Sequence, residues 1–212
     1  VKVGLPTIAA YALPAASELP PCAASWKPAR ERAALLVHDM QGYFVRAFAE
    51  GTSPIADVLA NIQALREHCD RAGIPVFYTA QPGRQELAAR GLQTAFWGPG
   101  MSSAPEDQDI VAFLAPKASH TVLTKWRYSA FQRSDFEARL RAAGRDQLIV
   151  TGVFAHIGCL LTSADAFMRD IETFFVADAV ADFSRERHDQ AVEYAAGRCA
   201  VPVLTSSLIE QL

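Results

Sequence analysis

A pure apolar run of this chain ends on a carboxylate. Leu35-Leu36-Val37-His38-Asp39 reads as a strand buried on both faces, and Asp39 closes it. A carboxylate there is costly to keep ionised without a partner. Asp39 is therefore either a turn-capping residue or a general acid or base. Lys125, just after the run His120 to Thr124, could meet it as an ion pair in a cleft; a lone lysine before Trp126 would otherwise face solvent. Gln81 and Arg90 lie in or beside a long loop-like stretch. The fork of donors on an arginine suits a substrate carboxylate, and an ordinary surface position is the alternative. Phe96, Trp97, Trp126 and Tyr128 could wall an apolar pocket or simply pack the core. In TGVFAHIGCL (151–160), small residues allow close backbone approach, and N–H groups at a helix start can stabilise an anion. Cys159 in that segment is either a nucleophile or a buried small hydrophobe, and spacing alone does not choose. His38 alternates away from Asp39 and reads as a core histidine facing the helix layer, while His156 is open to either role.

The elements that position these residues alternate strictly. Six β-rich runs are Ala33 to Asp39, Ile74 to Thr79, His120 to Thr124, Gln147 to Thr151, Phe174 to Ala177 and Ala200 to Leu204. Between them lie helical patterns. The first is capped by Ser53 with Pro54 in its opening turn, carries Ile55, Val58, Leu59, Ile62 and Leu65 on one face, and is closed by Gly73. Residues 80–104 read as a long loop followed by a short helix from Glu106 to Leu114; loops of that length are uncommon unless functional. Ser134 to Glu137 forms a capping box for a helix ended by Gly144, a helix runs from near Gly158 to about Asp170, and Ser184 caps another to about Gly197. A short helix ends the chain. The alternation predicts an α/β fold with an open parallel sheet covered by helices on both faces. Ligands bind outside the carboxyl ends of such strands, which brings Asp39, Gln81, Lys125, Gly152 to Gly158 and Asp178 to one edge.

The 212 residues, half of them hydrophobic, suit one domain, and no linker or repeat divides them. A net charge of -3 gives no reason to expect nucleic acid or an acidic membrane. No stretch approaches a membrane span, and prolines break the apolar N-terminus, so no signal peptide is expected. Cys22, Cys69, Cys159 and Cys199 show no metal-site spacing and suggest reduced thiols in the cytoplasm.

At these residues the sequence resembles the isochorismatases of the isochorismatase-like hydrolase superfamily. The resemblance runs through YALP (11–14), LLVHDMQGYF (35–44), YTAQPG (78–83), FWGPGM (96–101), TKWRYSAF (124–131), GRDQLIVTGVFAHIGC (144–159), DAFMRDI (165–171) and VADAVADFS (176–184). It implies a Rossmann-like three-layer sandwich with a six-stranded parallel sheet, usually dimeric, without a cofactor or metal. Residues 1–212 form one such domain, with 1–30 an N-terminal extension packing on it. Cysteine hydrolases of the superfamily use an Asp-Lys-Cys triad. Carried over, Asp39 and Lys125 fill two roles and the third falls on Gly158, with Cys159 one position too late. That argues against covalent amide hydrolysis and for acid-catalysed cleavage of a vinyl ether, with Asp39 the acid. Asp39 would then hold a proton near neutral pH, favoured by an apolar, carboxylate-bearing pocket. The resemblance puts Gln81, Arg90 and Tyr128 on the polar groups of the substrate, Trp97 and Phe154 on its walls, and a cis bond at Val153-Phe154. Phe154 stands where related siderophore and phenazine enzymes carry Tyr. The implied substrate is isochorismate or its 2-amino-2-deoxy analogue. A carrier protein or synthetase is a possible docking partner, although no carrier-protein domain or DSL-like serine is expected up to Leu212.

Overall fold

The computed structural model describes residues 5–212. Its centre is β1 (Ala33–His38), whose six residues are all buried because helices cover both faces of the sheet. Leu35 and Val37 join one hydrophobic layer, and Ala34 and Leu36 the other. The run stops one residue before the predicted end, since Asp39 turns to a φ of 51°. After a short α1 (Gly42–Val45) comes α2 (Ile55–Ala72). Its apolar face is the predicted one, and Gly73 closes it at a φ of 70°, a left-handed conformation that glycine adopts without cost. Ser53 does not cap it: Pro54 holds that position and the Ser53 hydroxyl has no partner among the described residues.

β2 (Val76–Ala80) is followed by the long stretch, which is not a bare loop. It carries α3 (Leu87–Arg90), α4 (Gln93–Trp97) and α5 (Pro105–Gln108), with a 3-10 turn at Ala112–Leu114. β3 (Thr121–Thr124), α6 (Phe136–Ala142) and β4 (Gln147–Val153) follow. The expected capping box is not made. The Ser134 hydroxyl donates to the Ala130 carbonyl at 2.6 Å, and the Glu137 carboxylate is drawn away by Arg169 and Arg141. A π-helical turn, Ala155–Cys159, leads into α7 (Leu160–Phe167). Then come β5 (Glu172–Ala181), α8 (Arg185–Arg198) with the predicted Ser184 cap, β6 (Val201–Val203) and α9 (Thr205–Gln211).

The strands order as β3-β2-β1-β4-β5-β6, and every pairing is parallel. The winding direction reverses between β1 and β4. Crossovers leave that pair in opposite directions, so a crevice opens at its carboxyl end. Of the N-terminal stretch, Ile8 donates its N–H to the Ala47 carbonyl at 2.7 Å, and Ala29 donates to the Gln147 side chain at 2.8 Å. None of the described helices is long and apolar enough to cross a membrane.

One expectation fails here for a clear reason. β5 runs through Asp178 to Ala181, so Asp178 lies within the strand and not at the ligand edge. Its carboxylate accepts from the Thr205 N–H and hydroxyl, both at 2.8 Å, which satisfies it inside the layer; burial still pushes its pKa up. Asp182 takes the strand-end position.

Candidate active site

Asp39 lies in the crevice outside β1, nearly inaccessible to solvent. The register pairs His38 with Thr79, which sets the Thr79 hydroxyl beside it. That hydroxyl accepts from the Asp39 N–H at 3.0 Å and donates to Oδ1 at 2.5 Å. Oδ2 accepts from the Lys125 ammonium at 2.7 Å and from Gln81 Nε2 at 3.1 Å. Lys125 is placed by the sheet, because its N–H donates to the Ala80 carbonyl at 2.9 Å and prolongs the β2–β3 ladder. All of these donors favour the ionised carboxylate. Burial works to raise the pKa of Asp39, but the Lys125 ammonium and the Thr79 hydroxyl hold it below the usual carboxylate value. The side chains around Asp39 thus bring a cation to the carboxylate and oppose the protonated form expected from the sequence.

Gln81 is itself held. The buried Gln41 donates from Nε2 to the Gln81 carbonyl at 2.8 Å and to the Gln108 carbonyl at 2.7 Å, and its Oε1 accepts the Gln81 N–H at 2.8 Å. Arg90, 5% exposed, donates from Nε to the Gly98 carbonyl at 2.7 Å. Among the described residues it has no carboxylate within ion-pair distance. Burial lowers its pKa, yet a guanidinium keeps its charge. It is therefore a caged cation without a counter-ion. Trp97 Nε1 donates to the Tyr128 hydroxyl at 2.7 Å, which leaves the phenolic proton free for another acceptor.

Asp39, Gln81, Arg90, Trp97, Lys125, Tyr128, Phe154 and Gly158 all line one cavity. Phe154 belongs to an aromatic group, with ring centroids 4.5 Å from Phe183, 5.8 Å from Phe44 and 5.9 Å from Phe48. The Val153-Phe154 peptide is cis, as the resemblance implies. Phe96 is not a wall residue: it is 75% exposed and borders a different groove. Cys159 is also outside the cavity. Its thiol is buried 3.8 Å from the Thr151 carbonyl, and burial pushes its pKa well up, which suits a packing residue and not a nucleophile. Sequence reasoning missed Thr79, Gln41, Tyr43 and Met101. Thr79 looked like one more β-former in a buried run. Gln41 was legible only as the polar end of the same motif as Asp39.

A doubly wound sheet that presents a carboxylate, a lysine and a caged guanidinium in one crevice defines a site for a small anionic ligand. Comparison narrows it. A family model described as the isochorismatase domain matches residues 33–207, and the chain belongs to the isochorismatase family. It is 55% identical over 210 residues to the isochorismatase of Bacillus subtilis (strain 168), covering 99% of this chain and 67% of that one. It is 50% identical over 207 residues to phenazine biosynthesis protein PhzD1 of Pseudomonas aeruginosa, covering 98% of this chain and 99% of that one. Among solved structures, a cysteine hydrolase from Pseudomonas syringae pv. phaseolicola 1448A superposes with a TM-score of 0.79 at 23% identity, covering 91% of this chain and 96% of that one; it shares the fold.

Proposed function

We propose that this chain hydrolyses the enolpyruvyl vinyl ether of isochorismate, giving pyruvate and 2,3-dihydro-2,3-dihydroxybenzoate, with Asp39 as general acid. Isochorismatase activity rests on the family match and on 55% identity to the Bacillus subtilis isochorismatase. The observation that carries the residue roles is the unpaired, buried Arg90 sharing a cavity with the Asp39–Lys125 pair. A cation without a counter-ion is a place for a carboxylate of the substrate.

The steps follow from that arrangement. Arg90 and Tyr128 take a carboxylate, while Trp97 and Phe154 wall the ring. Bound negative charge raises the proton affinity of Asp39 and competes for Lys125, so Asp39 takes up a proton. It gives that proton to the terminal methylene carbon, worth about 10²–10⁴-fold on general grounds. Water adds to the resulting oxocarbenium carbon and loses its proton to the regenerated carboxylate. The hemiketal then collapses: its hydroxyl loses a proton as the carbonyl of pyruvate forms, the C–O bond to the ring breaks, and the departing ring oxygen takes the proton held by Asp39. Gln81 and Lys125 orient Asp39, and Gly158 leaves space beside it. No step uses a metal or cofactor.

The 2-amino-2-deoxy analogue is the second substrate reading, favoured by 50% identity to the Pseudomonas aeruginosa phenazine biosynthesis protein. Pyruvate release is measured from both substrates side by side, with wild type and Asp39→Ala. Release that disappears in Asp39→Ala is the expected result, and the faster substrate names the reaction. No release from either substrate overturns the reading and leaves a docking module for a carrier protein or synthetase, to be sought by co-elution. A single domain over 1–212 and a homodimer complete the proposal. Exposed Leu92, Phe96, Leu161 and Met168 around one open groove support the second copy, and a solution molar mass checks it. Four free cysteines are in keeping with the cytoplasm.

A further inference from the structure

Gly158 has an ordinary backbone, so conformation does not require glycine there; only space does. A Cβ at that position would lie 2.1 Å from His38 Cε1, 2.8 Å from Nε2 and 2.9 Å from Nδ1. The ring cannot swing aside. It is fully buried, its Nδ1 lies 3.0 Å from the Val153 carbonyl, and its Nε2 is 3.4 Å from the Thr162 hydroxyl. A carbonyl can only accept, so Nδ1 carries the proton; burial pushes the pKa of the ring down to about 4, so it is neutral and Nε2 accepts from the Thr162 hydroxyl. His38 is thus locked between the end of β4 and the first turn of α7. It lies under the cavity, not in it, while Gly158 lines the cavity floor. His38 also precedes Asp39 in the chain. One ring therefore touches the backbone that carries the acid and the turn that floors the substrate.

We propose that His38 is a positioning residue: its neutral ring sets the height of the 155–159 turn against Asp39 and, by filling the space that a Cβ at 158 would need, restricts that position to glycine. This rests on the functional reading above for its consequence, though not for its packing. If a side chain were added at 158, the ring would hold and the turn would lift into the cavity. Misplacement by about 1 Å can cost about 10²-fold in rate.

The test is a double-mutant cycle of His38→Asn and Gly158→Ala. Asparagine keeps a donor near Nδ1 for the Val153 carbonyl but removes the part of the ring over Gly158. Gly158→Ala alone should lower kcat for pyruvate release by about tenfold or more, with KM changed less because Arg90 is untouched. In the His38→Asn background the same substitution should cost little, so the double variant is at least as active as Gly158→Ala. Independent, multiplying effects overturn the proposal, as does full activity of Gly158→Ala. A purely structural brace would move the melting temperature and leave kcat and KM alone, which also overturns it. The cycle is read in melting temperature as well. If Gly158→Ala fails to fold, recovery of folded protein in the double variant is the expected coupling, and an equally unfolded double variant overturns it. Absence of pyruvate release by wild type instead overturns the functional reading, and the coupling in melting temperature still decides the packing.

Discussion

Two buried carboxylates stand at the same edge of the sheet, and they are held in opposite ways. Asp39, after β1, is bound by side chains: the Thr79 hydroxyl, the Lys125 ammonium and the Gln81 amide. Asp182, after β5, is bound mostly by backbone: it accepts the His156 N–H at 2.6 Å and the Phe183 N–H at 2.7 Å, with His156 Nδ1 also at 2.6 Å. Its own N–H donates to the Tyr11 hydroxyl at 2.8 Å, tying down the N-terminal stretch. Two of the three side chains that donate to Asp39, those of Lys125 and Gln81, line the cavity, whereas none of the groups donating to Asp182 does so from its side chain. Side-chain donors can be traded for substrate groups during a reaction. Backbone amides of a fixed turn cannot. One carboxylate is held by groups that a ligand can displace, and the other mostly by groups fixed in the fold.

The largest expected effect that would break this contrast is on rate. Asp39→Asn should reduce pyruvate release by about 10²–10⁴-fold while the protein still folds, checked by coupled assay and circular dichroism. Asp182→Asn should do the reverse in kind. Unfolding in urea should show a loss of about 1–3 kcal/mol from unsatisfied buried groups, with kcat nearly kept at temperatures where the protein stays folded. Arg90→Ala removes the caged cation. Its loss of a charge-assisted bond, about 1.5–3 kcal/mol, should fall mainly on KM in a steady-state assay.

The pH dependence sharpens the same comparison. Asp39 has a lowered pKa in the free protein, so its contribution to stability is present above the unfolded carboxylate value and is lost as pH falls through the folded one. The acid it must become is the protonated form. Hence kcat/KM should rise as pH falls from neutrality, by at most about tenfold per unit, with the loss of stability beginning only below the unfolded carboxylate value. A kcat/KM profile flat across the acidic range would remove Asp39 from the acid role. The smallest expected effect is at Phe154→Tyr: a shift in preference between isochorismate and its 2-amino-2-deoxy analogue with little change in stability. Unchanged selectivity would mean that the ring serves only the aromatic group with Phe44, Phe48 and Phe183.

The contrast also explains what could be read from the sequence. Asp39 and Lys125 were legible because each breaks an apolar strand at its carboxyl end, where the alternation of elements must put a ligand. Asp178 misled for the same reason. A carboxylate after Phe174 to Ala177 looked like a strand end, but Thr205 satisfies it within the layer, and β5 continues past a register shift opposite Val150 and Gly152. The Ser134–Glu137 box failed because Arg169, distant in sequence, competes for the glutamate. Thr79 was hidden inside a run whose hydrophobicity was the signal, and His38 was legible only as the core histidine that it is. Their roles depend on cross-strand register, which no local pattern carries.

Gln41 has one more implication. Its single amide binds the carbonyls of Gln81 and Gln108, the two feet of the segment that carries Arg90 and Trp97. Whatever lies between those feet hangs from the scaffold like a cassette clipped at both ends. The two ends therefore cannot move apart without breaking hydrogen bonds of the same amide, so the position of Arg90 and Trp97 is tied to the strand end that carries Asp39.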